Sequence, residues 1–169
     1  GTFIDRIEDQ KVDYHLGVAA FGDDMSSGES NGGALVGSPK YVTPEASDPK
    51  ASFVANLGAL PPDGPVFEQG FAVMERAISL SKSDNAGFFR DDAALLVLIA
   101  TDEDDQSEED LSYYTGILAG FKGSLARAAV SAVTGPLPDG CEDEWGEVVT
   151  ASPRYFEVTE ATVGLMINI

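Results

Sequence analysis

The sequence predicts an α/β domain of the doubly wound, Rossmann-like kind, a mostly parallel sheet flanked by helices. Three observations carry that prediction. Apolar runs at 12–21, 93–100, 128–134 and 165–169 have the length and composition of strands, and segments of helical periodicity stand between them. Short stretches rich in Gly, Pro, Asp and Ser separate the two kinds of segment. At 169 residues and 43% hydrophobic, the chain can bury a core without covalent staples, and it shows neither an internal repeat nor a domain boundary, so 1–169 reads as a single domain.

Phe3, Ile4 and Ile7 mark the end of an amphipathic helix that runs into the strand 12–21. The loop from Gly22 to Gly33 lacks the GxGxxG and GKS/T patterns and carries Asp23, Asp24 and Glu29, which argues against a phosphate-binding loop. Segments 34–37 and 40–43 predict a short edge strand or hairpin, limited by Pro39 and Pro44. Ser47-Asp48-Pro49 predicts a capped helix start, with the helix running through Phe53, Val54 and Leu57 to Gly58. After the break at 60–65, Phe67, Phe71, Met74, Ala77 and Ile78 recur at helical spacing to about Ser81.

Asn85 and Arg90 flank Phe88 and Phe89 in a loop that reads as a structural turn with an Arg–carboxylate pair. The run 93–100 is apolar at every position, which predicts a strand buried on both faces at the centre of the sheet. Ser107 and Asp110 predict a weak capping box for a helix carrying Leu111, Tyr114, Ile117, Leu118 and Phe121, closed by Gly123. A strand at 128–134 follows, then an irregular loop to Ser152, a helix opened by Pro153 and ended by Gly164, and a last strand at 165–169.

With 29 acidic against 10 basic side chains the formal charge is −19. That charge repels nucleic-acid phosphates and anionic headgroups, so no nucleic acid is expected as a partner, while divalent cations and basic surfaces are favoured. No apolar run approaches the ~20 residues of a membrane span, so no membrane insertion is expected, and the first residues lack the basic and apolar regions of a signal peptide. Cys141, the one cysteine, excludes a CxxC or zinc-ribbon site; it is either an incidental loop thiol or half of a disulfide to a residue outside the chain. His15 reads as a strand histidine satisfied by hydrogen bonds, since no Ser or Cys nucleophile motif accompanies it.

The acidic segment Thr101–Asp110 holds the leading site residues. In an open parallel sheet ligands bind beyond the carboxyl ends of the strands, which makes Asp102 the first candidate for a cation or polar partner. Asp104 and Asp105 are secondary candidates, although acids at a helix start also oppose the positive end of its dipole by ~0.3–1 kcal/mol each. Glu68, in the loop entering a helix, either caps that helix or faces the same edge. A metal-dependent hydrolase would need two metals or a base beside a nucleophile; the sequence offers only carboxylates, and no enzymatic activity is expected.

The order of Asp13-Tyr-His-Leu-Gly-Val18, Gly64-Pro-Val-Phe-Glu-Gln-Gly70, Asn85-Ala-Gly-Phe-Phe-Arg90, Asp102-Glu-Asp-Asp-Gln-Ser107, Val130-Ser-Ala-Val-Thr-Gly-Pro136, Cys141 and Arg154-Tyr-Phe-Glu-Val158 resembles bacterial extracytoplasmic von Willebrand factor A-like domains over nearly the whole chain. The resemblance implies a secreted, periplasmic or cell-surface domain that binds a protein ligand at the carboxyl edge of its sheet. It also implies a metal-ion-dependent adhesion site for Mg²⁺ or Ca²⁺, built from an Asp-x-Ser-x-Ser loop, a Thr and an Asp. Asp102 matches that last Asp, while the position of the Thr is held by Pro65, which has no side-chain oxygen. The family's first strand and its Asp-x-Ser-x-Ser have no counterpart in these residues. The resemblance therefore implies a missing N-terminal strand or a companion chain, and a cysteine beyond Ile169 as the partner of Cys141. Two roles follow as expectations: an adhesion or protein-interaction domain, and a structural subunit completed by a strand from another segment or chain.

Overall fold

A computed structural model describes residues 3–22, 32–61, 67–142, 146 and 148–169. It is a mixed α/β fold in which helices flank a three-stranded parallel sheet, with two separate two-stranded antiparallel ladders beside it. Helix α1 (Phe3–Asp9) precedes β1 (Leu16–Gly17), which pairs antiparallel with β2 (Tyr41–Val42). A further antiparallel bridge joins Ala19 to Leu35. The strand expected over 12–21 is thus far shorter than its apolar composition suggests, and Val12 is exposed. The loop 23–31 lies outside the described residues, as does Pro65.

Helix α2 (Pro49–Leu57) begins as its sequence predicts: the Asp48 carboxylate accepts from Ala51 N at 2.9 Å and Pro49 occupies the first turn. Helix α3 (Gly70–Ser79) buries Phe71 and Met74, runs on into a 3₁₀ turn at Leu80–Lys82, and leaves Phe67 exposed ahead of it. Asn85 holds the turn that follows, accepting from Leu35 N at 2.8 Å and donating to Gly33 O at 2.8 Å and Ala77 O at 3.0 Å. Arg90 pairs with Asp13 at 2.6 Å, the ion pair expected for this loop. His15 Nδ1 lies 2.7 Å from Phe88 O and its ring stacks on Tyr41, a structural setting for the one histidine.

Strands β3 (Leu95–Ala100), β4 (Ala128–Thr134) and β7 (Met166–Asn168) form a parallel sheet in the order β3-β4-β7. Helices α4 (Leu111–Lys122) and α5 (Pro153–Thr162) make the crossovers between them, and a small antiparallel ladder of β5 (Cys141–Glu142) and β6 (Val148–Val149) sits within the second. Helix α4 ends at Gly123, whose φ of 74° is the left-handed conformation that closes a helix without a Cβ penalty. The core lies between one face of this sheet and α3, α4 and α5. Phe71, Leu118, Val130, Ala132, Tyr155 and Val158 are its fully buried members.

Two expectations need correction. Among the described residues the apolar strand 95–100 pairs with β4 alone, so it does not lie at the centre of its sheet there, and its side chains alternate. Ile99 is 6% exposed, whereas Leu96 and Leu98 are 58% and 61% exposed. An unbroken apolar run reads as burial on both faces, but only the face beneath α3, α4 and α5 is covered. In addition, Ser107 does not cap α4: Asp110 occupies that position without a side-chain bond, and the Ser107 hydroxyl accepts instead from Ala72 N of α3 at 3.0 Å.

Candidate functional site

Just past β3, Thr101 N still bonds Val133 O at 3.1 Å, and residues 102–107 then turn back across the carboxyl edge of the sheet. This loop is tied down on both sides. Asp102 O accepts from Thr150 N at 2.8 Å, and Gln106 N donates to Glu68 O at 2.8 Å, so the segment entering α3 is drawn against the loop leaving β3. That is how Glu68, distant in sequence, comes to stand beside Thr101.

The acidic side chains divide into two groups by what they bond. Asp105 is 4% exposed and accepts from Phe71 N at 3.0 Å, from Ser107 N at 3.2 Å and from Ser107 Oγ at 2.8 Å, while Arg154 Nε approaches it at 3.1 Å. It is the N-terminal cap of α3, offset in sequence by more than thirty residues. Burial pushes its carboxyl upward, opposed by those hydrogen bonds and by the Arg154 guanidinium. Asp104 serves α5 in the same way, accepting from Arg154 N at 3.1 Å. Both side chains are thereby committed to joining helices to the sheet edge.

Glu68 and Asp102 are differently placed. Asp102 is exposed, and among the described residues neither it nor Glu68 takes part in an ion pair. Glu68 is partly buried and accepts from the Thr101 hydroxyl, so it faces the edge and leaves the capping of α3 to Asp105. Burial, reinforced by the charges of Asp102 and Glu103, pushes its carboxyl up to about 7. Behind it the Tyr155 hydroxyl is buried against the Gly70 backbone; burial, Asp105, Glu68 and Asp104 push its ionisation upward, opposed by the Gly70 hydrogen bond. Gly70 makes this approach possible, since a Cβ there would collide with the Tyr155 hydroxyl oxygen.

Thr101, Arg154 and Tyr155 were not legible as site residues. Thr101 could be found only as the residue after the strand, and Tyr155 reads from sequence as an ordinary apolar-face position of α5. Among the described residues no group of three or more His, Cys, Asp or Glu side chains is placed to hold a metal ion. The Glu68 carboxylate bonded to the Thr101 hydroxyl, and the Asp102 carboxylate whose charge acts on Glu68, are hard oxygens of the kind Mg²⁺ and Ca²⁺ take. Cys141 is a free thiol whose Sγ lies 4.0 Å from Ile169 O, next to the end of the last strand. Among the described residues no helix is long and apolar enough to cross a membrane. Compared with known proteins, the chain matches no family model, no curated protein and no solved structure.

Proposed function

We propose that the chain is a non-enzymatic protein-interaction domain of the von Willebrand factor A-like kind, acting outside the cytoplasm, and that it engages its partner at the carboxyl edge around Glu68 and Asp102. One observation carries the reading. A partly buried carboxyl is held at about 7 beside two further carboxylates, a free-energy cost that a cationic ligand at this point would relieve. Glu68 and Asp102 would hold a Mg²⁺ or Ca²⁺ ion, with water and a partner carboxylate completing its shell; the ion would supply the charge that joins the two proteins. Thr101 orients Glu68 through its hydroxyl, and Asp104 and Asp105 keep the loop in place through α5 and α3. The edge position is also where ligands of open parallel sheets bind.

Calorimetric titration with Mg²⁺ and with Ca²⁺ tests this directly. The expected result is one site whose affinity falls at least about tenfold in Asp102→Ala, the loss of one of two charged ligands. Unchanged affinity in the variant, or no heat in the intact chain, removes the ion from the reading.

A further inference from the structure

Among the ion pairs of the described residues, Arg154 supplies the cation at the carboxyl edge. It stands in the first turn of α5, and its Nε lies 3.1 Å from the carboxylate of Asp105, whose side chain is fully buried. The same guanidinium donates through Nη2 to Glu109 O at 2.7 Å and lies 5.6 Å from the centre of the Phe71 ring. Its backbone N–H donates to the Asp104 carboxylate at 3.1 Å. One residue of α5 thus holds both ends of the segment 104–109 and the first turn of α3. A planar guanidinium serves two acceptors in fixed directions, which a single ammonium does not.

The bonds that place Glu68 and Asp102 lie in the segments Arg154 holds. Gln106 N donates to Glu68 O at 2.8 Å and Gln69 Nε2 donates to Gln106 O at 3.2 Å, so the position of Glu68 follows that of residue 106. Asp102 is held through Thr150, whose N–H donates to Asp102 O at 2.8 Å while its hydroxyl accepts from Asp104 N at 3.2 Å. Between these two ties sits Asp105, bonded to Phe71 N on one side and to Ser107 on the other. A buried carboxylate that loses its counter-charge is strongly destabilised where it stands. Loss of the Arg154 fork therefore loosens the loop towards α3 and towards Thr150 together.

We propose that Arg154 is a positioning residue of the carboxyl edge: resting on the ion-binding reading above, its guanidinium presets the separation of Glu68 and Asp102 and so raises the affinity of their site for Mg²⁺ relative to Ca²⁺. The ions differ in what they demand. Mg²⁺ is small and requires near-ideal octahedral geometry, whereas Ca²⁺ accepts longer and less regular oxygen shells, so a loop free to spread costs Mg²⁺ more. Groups that orient metal ligands without touching the ion act in this way. The charge of Arg154 acts in the opposite sense, since a guanidinium near the site repels any cation; if charge alone mattered, its removal would tighten both ions. Lysine separates the two effects, because it keeps the charge and loses the fork.

Arg154→Lys and Arg154→Met, each compared with the intact chain, provide the test. In calorimetric titrations Mg²⁺ affinity is expected to fall at least about tenfold in Arg154→Lys, with Ca²⁺ affinity reduced by less than about threefold. Arg154→Met is expected to lose Mg²⁺ affinity as well, although it removes a like charge. Hydrogen exchange in chelator reads the same residue with no ion present. The Gln106 and Thr150 amides are expected to exchange at least about tenfold faster in both variants, while the Val130 and Ala132 amides of β4 change by less than about twofold, which separates local release from a loss of overall stability. The proposal is overturned by equal losses for the two ions, by affinity that rises in Arg154→Met, or by exchange at Gln106 and Thr150 that is unchanged or quickens only in step with β4. Absence of heat in the intact chain defeats the ion-binding reading and with it the selectivity; exchange in chelator then decides whether Arg154 positions the edge.

Discussion

Glu68 is the residue at which structure and chemistry diverge most. Its carboxyl rises from an ordinary value near 4.5 to about 7. Between those values the folded chain holds a proton that the unfolded chain has released, so stability is fully present below about pH 4.5 and declines as pH rises towards 7. A tenfold change in proton affinity is worth about 1.4 kcal/mol, but Glu68 retains contact with water, and screening reduces the whole effect to about 1–2 kcal/mol. Glu68→Gln is therefore expected to raise stability by about that amount at pH 8 and to leave it unchanged at pH 4, as read from denaturant midpoints at the two pH values. The same variant is expected to lose ion affinity, the pairing of gain and loss that marks a site kept for binding. Asp105 behaves in the opposite sense. Removing it leaves the Phe71 N–H unsatisfied and the Arg154 guanidinium without its partner, so Asp105→Ala is expected to cost about 3 kcal/mol in urea unfolding.

At the level of elements, local signals were legible and their partners were not. Asp48-Pro49 announced α2, and the apolar run at Ala128–Thr134 coincides with β4 from first residue to last, because caps and strand composition act within a few residues. The position of β3 was equally clear, but its burial depends on which strand lies on its far side, and no property of residues 93–100 encodes that. Ser107 and Asp105 show the same limit: both looked like charges and caps belonging to the next helix, yet they cap α3 from across the fold. The alternating exposure of β3 makes its two faces respond differently. Leu98→Lys is expected to change stability by less than about 0.5 kcal/mol, as lysine does on exposed edge strands, while Ile99→Ala costs about 2–4 kcal/mol. Equal losses from the two substitutions, measured by thermal melts, would place β3 inside a sheet covered on both sides.

Across the whole molecule, the mixed α/β class, the parallel pairing of β3, β4 and β7 and the acidic character of their carboxyl edge were readable from strand-helix alternation and from Thr101–Asp110, while the antiparallel pairing of β1 with β2 was not. The convergence of Glu68 with Asp102, and the buried Tyr155 hydroxyl behind them, arise only when three segments fold together. A formal charge of −19 also acts at this scale, since self-repulsion disfavours the compact state and is screened beyond about 10 Å at 0.1 M salt. The unfolding midpoint is accordingly expected to rise between about 20 mM and about 300 mM NaCl, with a smaller rise at pH 5 than at pH 8 as carboxylates protonate. The central claim is that the carboxyl edge holds Glu68 in wait for a cation, and a carbon-detected NMR titration of the Glu68 side-chain carboxyl reads it most directly. The account predicts a midpoint near 7 that falls by at least about one pH unit when saturating Mg²⁺ or Ca²⁺ is present. A midpoint near 4.5, unmoved by either ion, would contradict it.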